Sequence, residues 1–255
     1  MTRSPAAHCE RKTSSAISLA SARSLHHGCR YAQPQGGKQS RRGCPPANVN
    51  AGVPLNMMVH IQWNLTESKQ DNFSALRNER FCRWLRTRSK QLGIKIDPYY
   101  TYVKEKNHTH WLVYIPDQLV DEFNYLLPRW ITSLESKGRG ARKRAENHEP
   151  APEGTVLSEP VRNSVAARKY MLKGIERKHA FRFGIRVVED QGVIQGRRSG
   201  VSRTLGPAAR KRAGYKAKRA PWMCGKGKHI KIGDNERLRA VQKYARDFEL
   251  DYQNY

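Results

Sequence analysis

Acidic residues are scarce in this chain: 22 Asp and Glu stand against 48 Lys and Arg, a formal net charge of +26. That imbalance narrows the partners. Nucleic acid is the default, because every phosphate neutralised by Lys or Arg releases condensed counterions. An anionic membrane surface would require an amphipathic helix with a Lys/Arg face and a bulky apolar face, and none is legible. Long apolar runs are also missing. No stretch reaches the roughly 18 apolar residues that cross a bilayer, and the N-terminus lacks the compact apolar core of a secretory signal. No membrane partner and a cytoplasmic location are therefore expected. Cysteine is sparse and scattered, at 9, 29, 44, 82 and 224. This odd set is no disulfide framework, and it reads as free thiols in a reducing cytoplasm. Cys224 and His229 are too few for a zinc site. Apolar residues make up only 38% of the 255 positions, which predicts a compact core with polar flanks.

Residues 1–56 are rich in Ser, Arg, Gly and Pro, with Glu10 as their sole acid, and no apolar period of 2 or 3.6 is sustained. An organellar transit peptide has this composition. A disordered tail, or a start codon placed too far upstream of Met57 and Met58, has it too, and a disordered tail is the expectation. From Met58 the alternation Val59-His60-Ile61-Gln62-Trp63-Asn64-Leu65 predicts a strand. A helix is expected from about Ser74 to Leu92, stopped by Gly93. A second strand is expected over about Ile94–Lys104 and a third over about His108–Ile115. Apolar steps of three and four from Leu119 to Leu134 predict a helix, with Pro128 kinking or breaking it. Residues 137–158 read as a flexible loop. A helix over about Val161–Ile175 and a short strand near Phe183–Val188 follow. Residues 191–255 read as a basic extension, with a short helix at Pro207–Arg212 and a terminal helix from about Asp234 to Leu250. The domain that would carry chemistry is thus 57–190.

Three groups of residues bear on chemistry. In a strand, His108 and His110 project to one side, one pleat apart, with Thr109 on the other. Lys106-Asn107 can form a two-residue hairpin turn, Asn tolerating the positive φ that such turns use. Glu105 then lies across from His108 on the same face, about 5 Å away at Cβ. Two imidazoles and a carboxylate around an open site suit Mg²⁺ or Mn²⁺ acting on a phosphate. On a helix, Tyr170 and Lys173 share a face. A phenol ionises near pH 10, and a nearby ammonium favours its reactive anion. Finally, no acid occurs from Gln191 to Gly233. Arg197, Arg198, Arg203, Arg210, Lys211 and Arg212 head a run of cations there, and Tyr215 and Trp222 are available to stack on bases. Each group has a plainer reading: half-exposed strand histidines, a solvated helix, a solvated basic tail.

The order of these motifs, a His-x-His strand about sixty residues before a Tyr-x-x-Lys helix in a basic chain, resembles the HUH endonucleases. These are the rolling-circle replication initiators of plasmids and phages, and the relaxases. The resemblance covers about residues 58–190, and Gln195–Arg210 resembles the basic C-terminal portion of replication proteins of bacterial mobile elements. It implies an α+β fold, a central antiparallel sheet with flanking helices. It implies His108 and His110 as metal ligands with Glu105 as the third, Tyr170 as nucleophile and Lys173 as its motif partner. The activity implied is nicking of single-stranded or hairpin DNA, with a 5′-phosphotyrosine formed and a 3′ hydroxyl released. Host replication proteins are further candidate partners. Two departures stand out. Thr109 replaces the usual bulky hydrophobe, and Glu105 lies closer to the histidines than the usual acid. A single tyrosine implies a single-tyrosine mechanism, and the missing Walker motif argues against a fused helicase. The rival expectations are a non-catalytic nucleic-acid-binding protein and an organellar or ribosomal RNA-binding protein.

Overall fold

The computed structural model describes residues 13–33, 51–67, 69–94, 96–135 and 145–215. The chain divides into the units Met1–Lys216 and Ala217–Tyr255, and all described residues belong to the first. Trp222, the expected terminal helix and the cations beyond Tyr215 lie outside the described residues.

In chain order the elements are β1 (Thr13–Ser14), α1 (Leu19–Ala32) and β2 (Met57–Gln62). A continuous helical stretch follows: α2 (Phe73–Ala75), a π-helical segment Leu76–Phe81 and α3 (Cys82–Gln91). Next come β3 (Tyr100–Lys104), β4 (His108–Val113), α4 (Val120–Glu135), β5 (Val156–Pro160), α5 (Ser164–Met171) and α6 (Arg177–Ala180). The last described elements are β6 (Ile194–Gln195), β7 (Ser199–Val201) and α7 (Pro207–Arg212). The fold is α+β: five antiparallel strands in the order β5-β2-β4-β3-β7, flanked by helices, with β1 and β6 paired separately. No helix among the described residues is long and apolar enough to cross a membrane.

Side-chain alternation divides the sheet into two faces. On the first, Val59, Ile61, Tyr100, Tyr102, Trp111 and Val113 pack against Phe73, Phe81 and Leu85 of the helical stretch and against Phe123, Leu127 and Ile131 of α4. Thr109 also faces this side, fully buried, and its hydroxyl accepts a hydrogen bond from Trp63 Nε1 at 2.8 Å. The expected hydrophobe is thus replaced by a buried polar group that has its partner. Gly93, at φ +68°, ends α3 as expected. Pro128 does not break α4, which runs on to Glu135.

The second face carries Met58, Leu112 and Val103, covered by Leu25 and Cys29 of α1, Met171 and Leu172 at the end of α5, and Leu205. Here the expected disordered tail is corrected over residues 13–33. Helix α1 is capped by Ser18 and buries Ala22, Leu25, Gly28, Cys29 and Ala32. These positions recur at helical steps, but Ala and Gly carry so little apolar area that the period does not register in the sequence. A Cβ on Gly28 would stand 3.1 Å from Val201 Cγ1, so the small residue lets α1 lie close on β7.

Other expectations also change. Part of the 137–158 loop is strand β5, the edge beside β2. No strand forms over Phe183–Val188, where Ile185 and Val188 pack from irregular chain against the second core. The segment from Ile194 to Arg212 is part of the domain, with β7 completing the sheet beside β3. The short helix at Pro207–Arg212 is present as expected.

Candidate functional site

The hairpin joining β3 to β4 sets the site. Glu105 and His108 exchange backbone hydrogen bonds, 2.8 Å from the Glu105 N–H and 3.3 Å from the His108 N–H, so Lys106-Asn107 is the two-residue turn. It forms without positive φ, since only glycines among the described residues have it. Outside bonds hold the turn instead. Gln70 Nε2 donates to the carbonyls of Glu105 (2.6 Å) and His108 (2.7 Å), the Trp63 N–H donates to Asn107 O, and the Lys106 N–H donates to Gln191 O.

This register puts Glu105, His108 and His110 on the second face. Glu105 Oε2 lies 3.0 Å from His110 Nε2, and both side chains are buried. His110 Nε2 is thus the ring nitrogen turned to that carboxylate. The His108 ring lies parallel to the His110 ring, 6.5 Å away between centroids. The structure therefore joins Glu105 directly to His110 and leaves His108 beside them. Among the described residues no three His, Cys, Asp or Glu side chains already stand in a metal-ready group.

Helix α5 delivers Tyr170 to the same face. Asn163 caps its start, its Oδ1 accepting from the Val165 and Ala166 N–H groups at 2.9 and 3.0 Å. The Tyr170 ring, 39% exposed, lies 4.9 Å from that of His110 between centroids. The helix ends at Met171, earlier than expected, and Lys173 follows in a turn closed by its N–H on Tyr170 O. Its Nζ still reaches Tyr170, donating to the hydroxyl at 3.2 Å. The same Nζ lies 3.5 Å from Glu105 Oε2 and 3.2 Å from Glu189 Oε2.

The electrostatics follow from these contacts. Burial favours the neutral form of Glu105, but His110 and Lys173 outweigh it and hold the carboxyl below its ordinary range. Burial likewise opposes the Lys173 charge, yet Glu105, Tyr170 and Glu189 push its pKa above the ordinary lysine value. Lys173 is thus a fixed ammonium beside the phenol oxygen. It can stabilise negative charge there but cannot accept the phenol's proton.

Two residues join this cluster that sequence reasoning missed. His60 on β2 pairs directly across from His110, Nδ1 to Nδ1 at 2.8 Å, and its ring stands 5.9 Å from that of Tyr170. Burial, then His110 and Lys173, lower its pKa to about 4. Its signal in the sequence was a polar position in the β2 alternation, but the register that sets it against His110 was not readable. Glu189 comes from irregular chain and had no signal.

The expected DNA-contacting cations separate into two kinds. Arg197, Arg203, Lys211 and Arg212 are exposed. Arg198 and Arg210 are buried and structural, which corrects their expected role. Arg198 donates to the carbonyls of Ser14 (2.6 Å), Lys104 (3.3 Å), Gln191 (3.4 Å) and Gly192. Arg210 donates to Ser24 O at 3.1 Å. Tyr215 is partly buried, packing edge-on against Tyr31 and against the second core. Comparison with protein-family models, with curated proteins and with solved structures finds no match for this chain.

Proposed function

We propose that this chain nicks single-stranded DNA by transesterification through Tyr170, in the initiation of replication of a plasmid, phage or mobile element, as its resemblance to the HUH endonucleases implies. The observation that carries this reading is the meeting of Tyr170 and Lys173 with Glu105 and His110 on one sheet face. Residues about sixty positions apart in sequence lie with ring centroids 4.9 Å apart. A tyrosine on the opposite face would have left only the reading of a non-catalytic nucleic-acid-binding protein.

The chemistry assigned to each group is as follows. The Tyr170 oxygen attacks a phosphodiester phosphorus, the new O–P bond replaces the P–O3′ bond, and the 3′ oxygen leaves as a hydroxyl after taking up a proton. The phenolic proton goes to solvent, because Lys173 already holds its own. The Lys173 ammonium steadies the phenolate and then the charge on the phosphate oxygens. Glu105 and Glu189 hold that ammonium in place. The exposed Arg197, Arg203, Lys211 and Arg212 neutralise the strand's backbone charge. Glu105 and His110, with His108 beside them, offer nitrogen and oxygen donors of the type that would hold Mg²⁺ or Mn²⁺, although they do not stand as a metal-ready group of three. Such a cation, when bound, supplies Lewis-acid polarisation of a phosphate.

The test is incubation with a mixed pool of single-stranded oligonucleotides and Mn²⁺, followed by mass spectrometry. Nucleotide is expected on Tyr170, and Tyr170→Phe is expected to bind DNA while forming no adduct. Nicking by the Phe variant would sink the assignment of the nucleophile. Binding without any adduct in the wild type would leave a nucleic-acid-binding protein.

A further inference from the structure

Helix α1 carries none of the motifs of the tyrosine site and no acidic residue. Arg23, His26, His27 and Arg30 fall on it at steps of three and four, so they form one stripe beside the face that α1 buries in the second core. Arg23 is exposed and the other three are half-buried. Aromatic rings flank the stripe: Phe183 stands edge-on to His26 at 5.3 Å and Tyr215 to His27 at 6.3 Å between centroids. Helix α1 packs against α5 and α7, and each brings an arginine. Arg168 of α5 acts on both imidazoles, as does Arg30, while Arg210 of α7 and Arg23 act on His27. The strongest charges on the two rings are thus cationic, with no carboxylate among them. Arg210 is buried on Ser24 O and contributes only its field. Among the described residues, neither Arg23 nor Arg30 is paired with a carboxylate.

A positive field that the fold leaves unneutralised suits an anion with several charges in a row. Arg23 and Arg30 are seven residues apart, about 10.5 Å along the helix. A strand in duplex form carries one charge per about 3.4 Å of axis, so the stripe is long enough for two or three consecutive phosphates. We propose that this stripe of α1 is a second nucleic-acid contact, in which Arg23 and Arg30 grip the phosphate backbone of single-stranded DNA. Helix α1 packs against α5, which carries Tyr170, so the contact adjoins the helix of the nucleophile. This deepens the reading given above and rests on a nucleic acid being the partner, not on the cleavage chemistry.

The test uses the full chain and a fluorescent single-stranded oligonucleotide with no divalent cation added, so that binding is read without cleavage. The double variant Arg23→Gln, Arg30→Gln is compared with Arg83→Gln, Arg86→Gln, which removes the same charge from exposed positions on α3, over the opposite face of the sheet. The slope of log affinity against log salt is expected to become shallower by about 1.4 in the α1 variant, the value for two phosphate contacts to a single strand, and to keep its wild-type value in the α3 variant. An equal change in both, or none in either, would overturn the proposal. A second measurement needs no substitution: modification of the wild-type arginines by phenylglyoxal, mapped by mass spectrometry. The oligonucleotide is expected to protect Arg23 and Arg30 and to leave Arg83 and Arg86 reactive. Bound oligonucleotide that leaves Arg23 and Arg30 reactive would overturn the proposal and leave the nicking reaction to its own test. Equal protection by inorganic phosphate at the same phosphate concentration would overturn the strand as ligand in favour of a free anion. A wild type that binds no oligonucleotide would overturn the nucleic-acid reading itself, and this inference with it.

Discussion

A single side chain, Lys173, links most of the candidate site. It touches the Tyr170 hydroxyl, Glu105 and Glu189. Its raised pKa keeps the ammonium charged at every pH at which DNA chemistry would be assayed. Lys173→Met is expected to slow adduct formation by roughly 100- to 1000-fold, the effect of losing one donor aimed at developing charge, with DNA affinity little changed. Single-turnover kinetics checks this, and an undiminished rate would remove Lys173 from the chemistry. The arginines separate in the same way. Arg198→Ala strips several buried carbonyls of a charged donor and should cost about 1.5–3 kcal/mol of stability. Arg203→Ala, at an exposed position, should leave the melting curve in place and reduce the salt dependence of DNA binding. Chemical denaturation and binding at two salt concentrations separate the two, and the reverse pattern would contradict both assignments.

At the scale of elements, β4 does two jobs through its alternation. His108 and His110 serve the site face while Thr109 and Trp111 lock the other. Thr109→Val would keep the shape but leave the buried Trp63 indole N–H without its 2.8 Å partner, a loss of about 1–3 kcal/mol. Urea denaturation measures it, and an unchanged midpoint would mean that another acceptor takes the indole. Strongly patterned elements were legible: β2, β4, the helix ending at Gly93, α4 and the helix of Tyr170. The hairpin placing Glu105 across from His108 was legible as well, although bonds from Gln70 and Gln191 stabilise its turn where positive φ was expected. Elements with weak patterns were not. Helix α1 packs through Ala, Gly and Cys, and β5 and β7 are short edge strands that exist because β2 and β3 offer them partners.

For the whole molecule, the second face of the sheet exists as a core because α1 covers it, and α1 carries two of the titratable groups that set acid stability, beside His60 and Glu105 of the site. Burial, then Arg168, lowers the pKa of His26. Burial, then Arg210 and other arginines, lowers His27 from 6.5 to about 4. The unfolded chain therefore takes up protons below pH 6.5 that the folded chain refuses, and stability falls as the proton count diverges. Full stability is expected above about pH 6.5, with a progressive loss through about pH 4, where folded His27 takes up its proton, that continues below it for the more strongly lowered His26. Thermal melts across that range check the sign, and His27→Gln should flatten the dependence. A melting temperature that rises on acidification would contradict it.

The sequence by itself determined the charge that favours a polyanionic partner, the period that makes β4 a strand, and therefore the common side of His108 and His110. These are local consequences of composition and of a two-residue repeat. The tertiary structure decided which distant residues meet them. It chose the face on which Tyr170 lands, set His60 against His110, brought Glu189 to Lys173, and turned Arg198 and Arg210 inward. Register and helix docking settle such matters through the packing of whole faces, and a one-residue slip in β2 would have sent His60 to the opposite core.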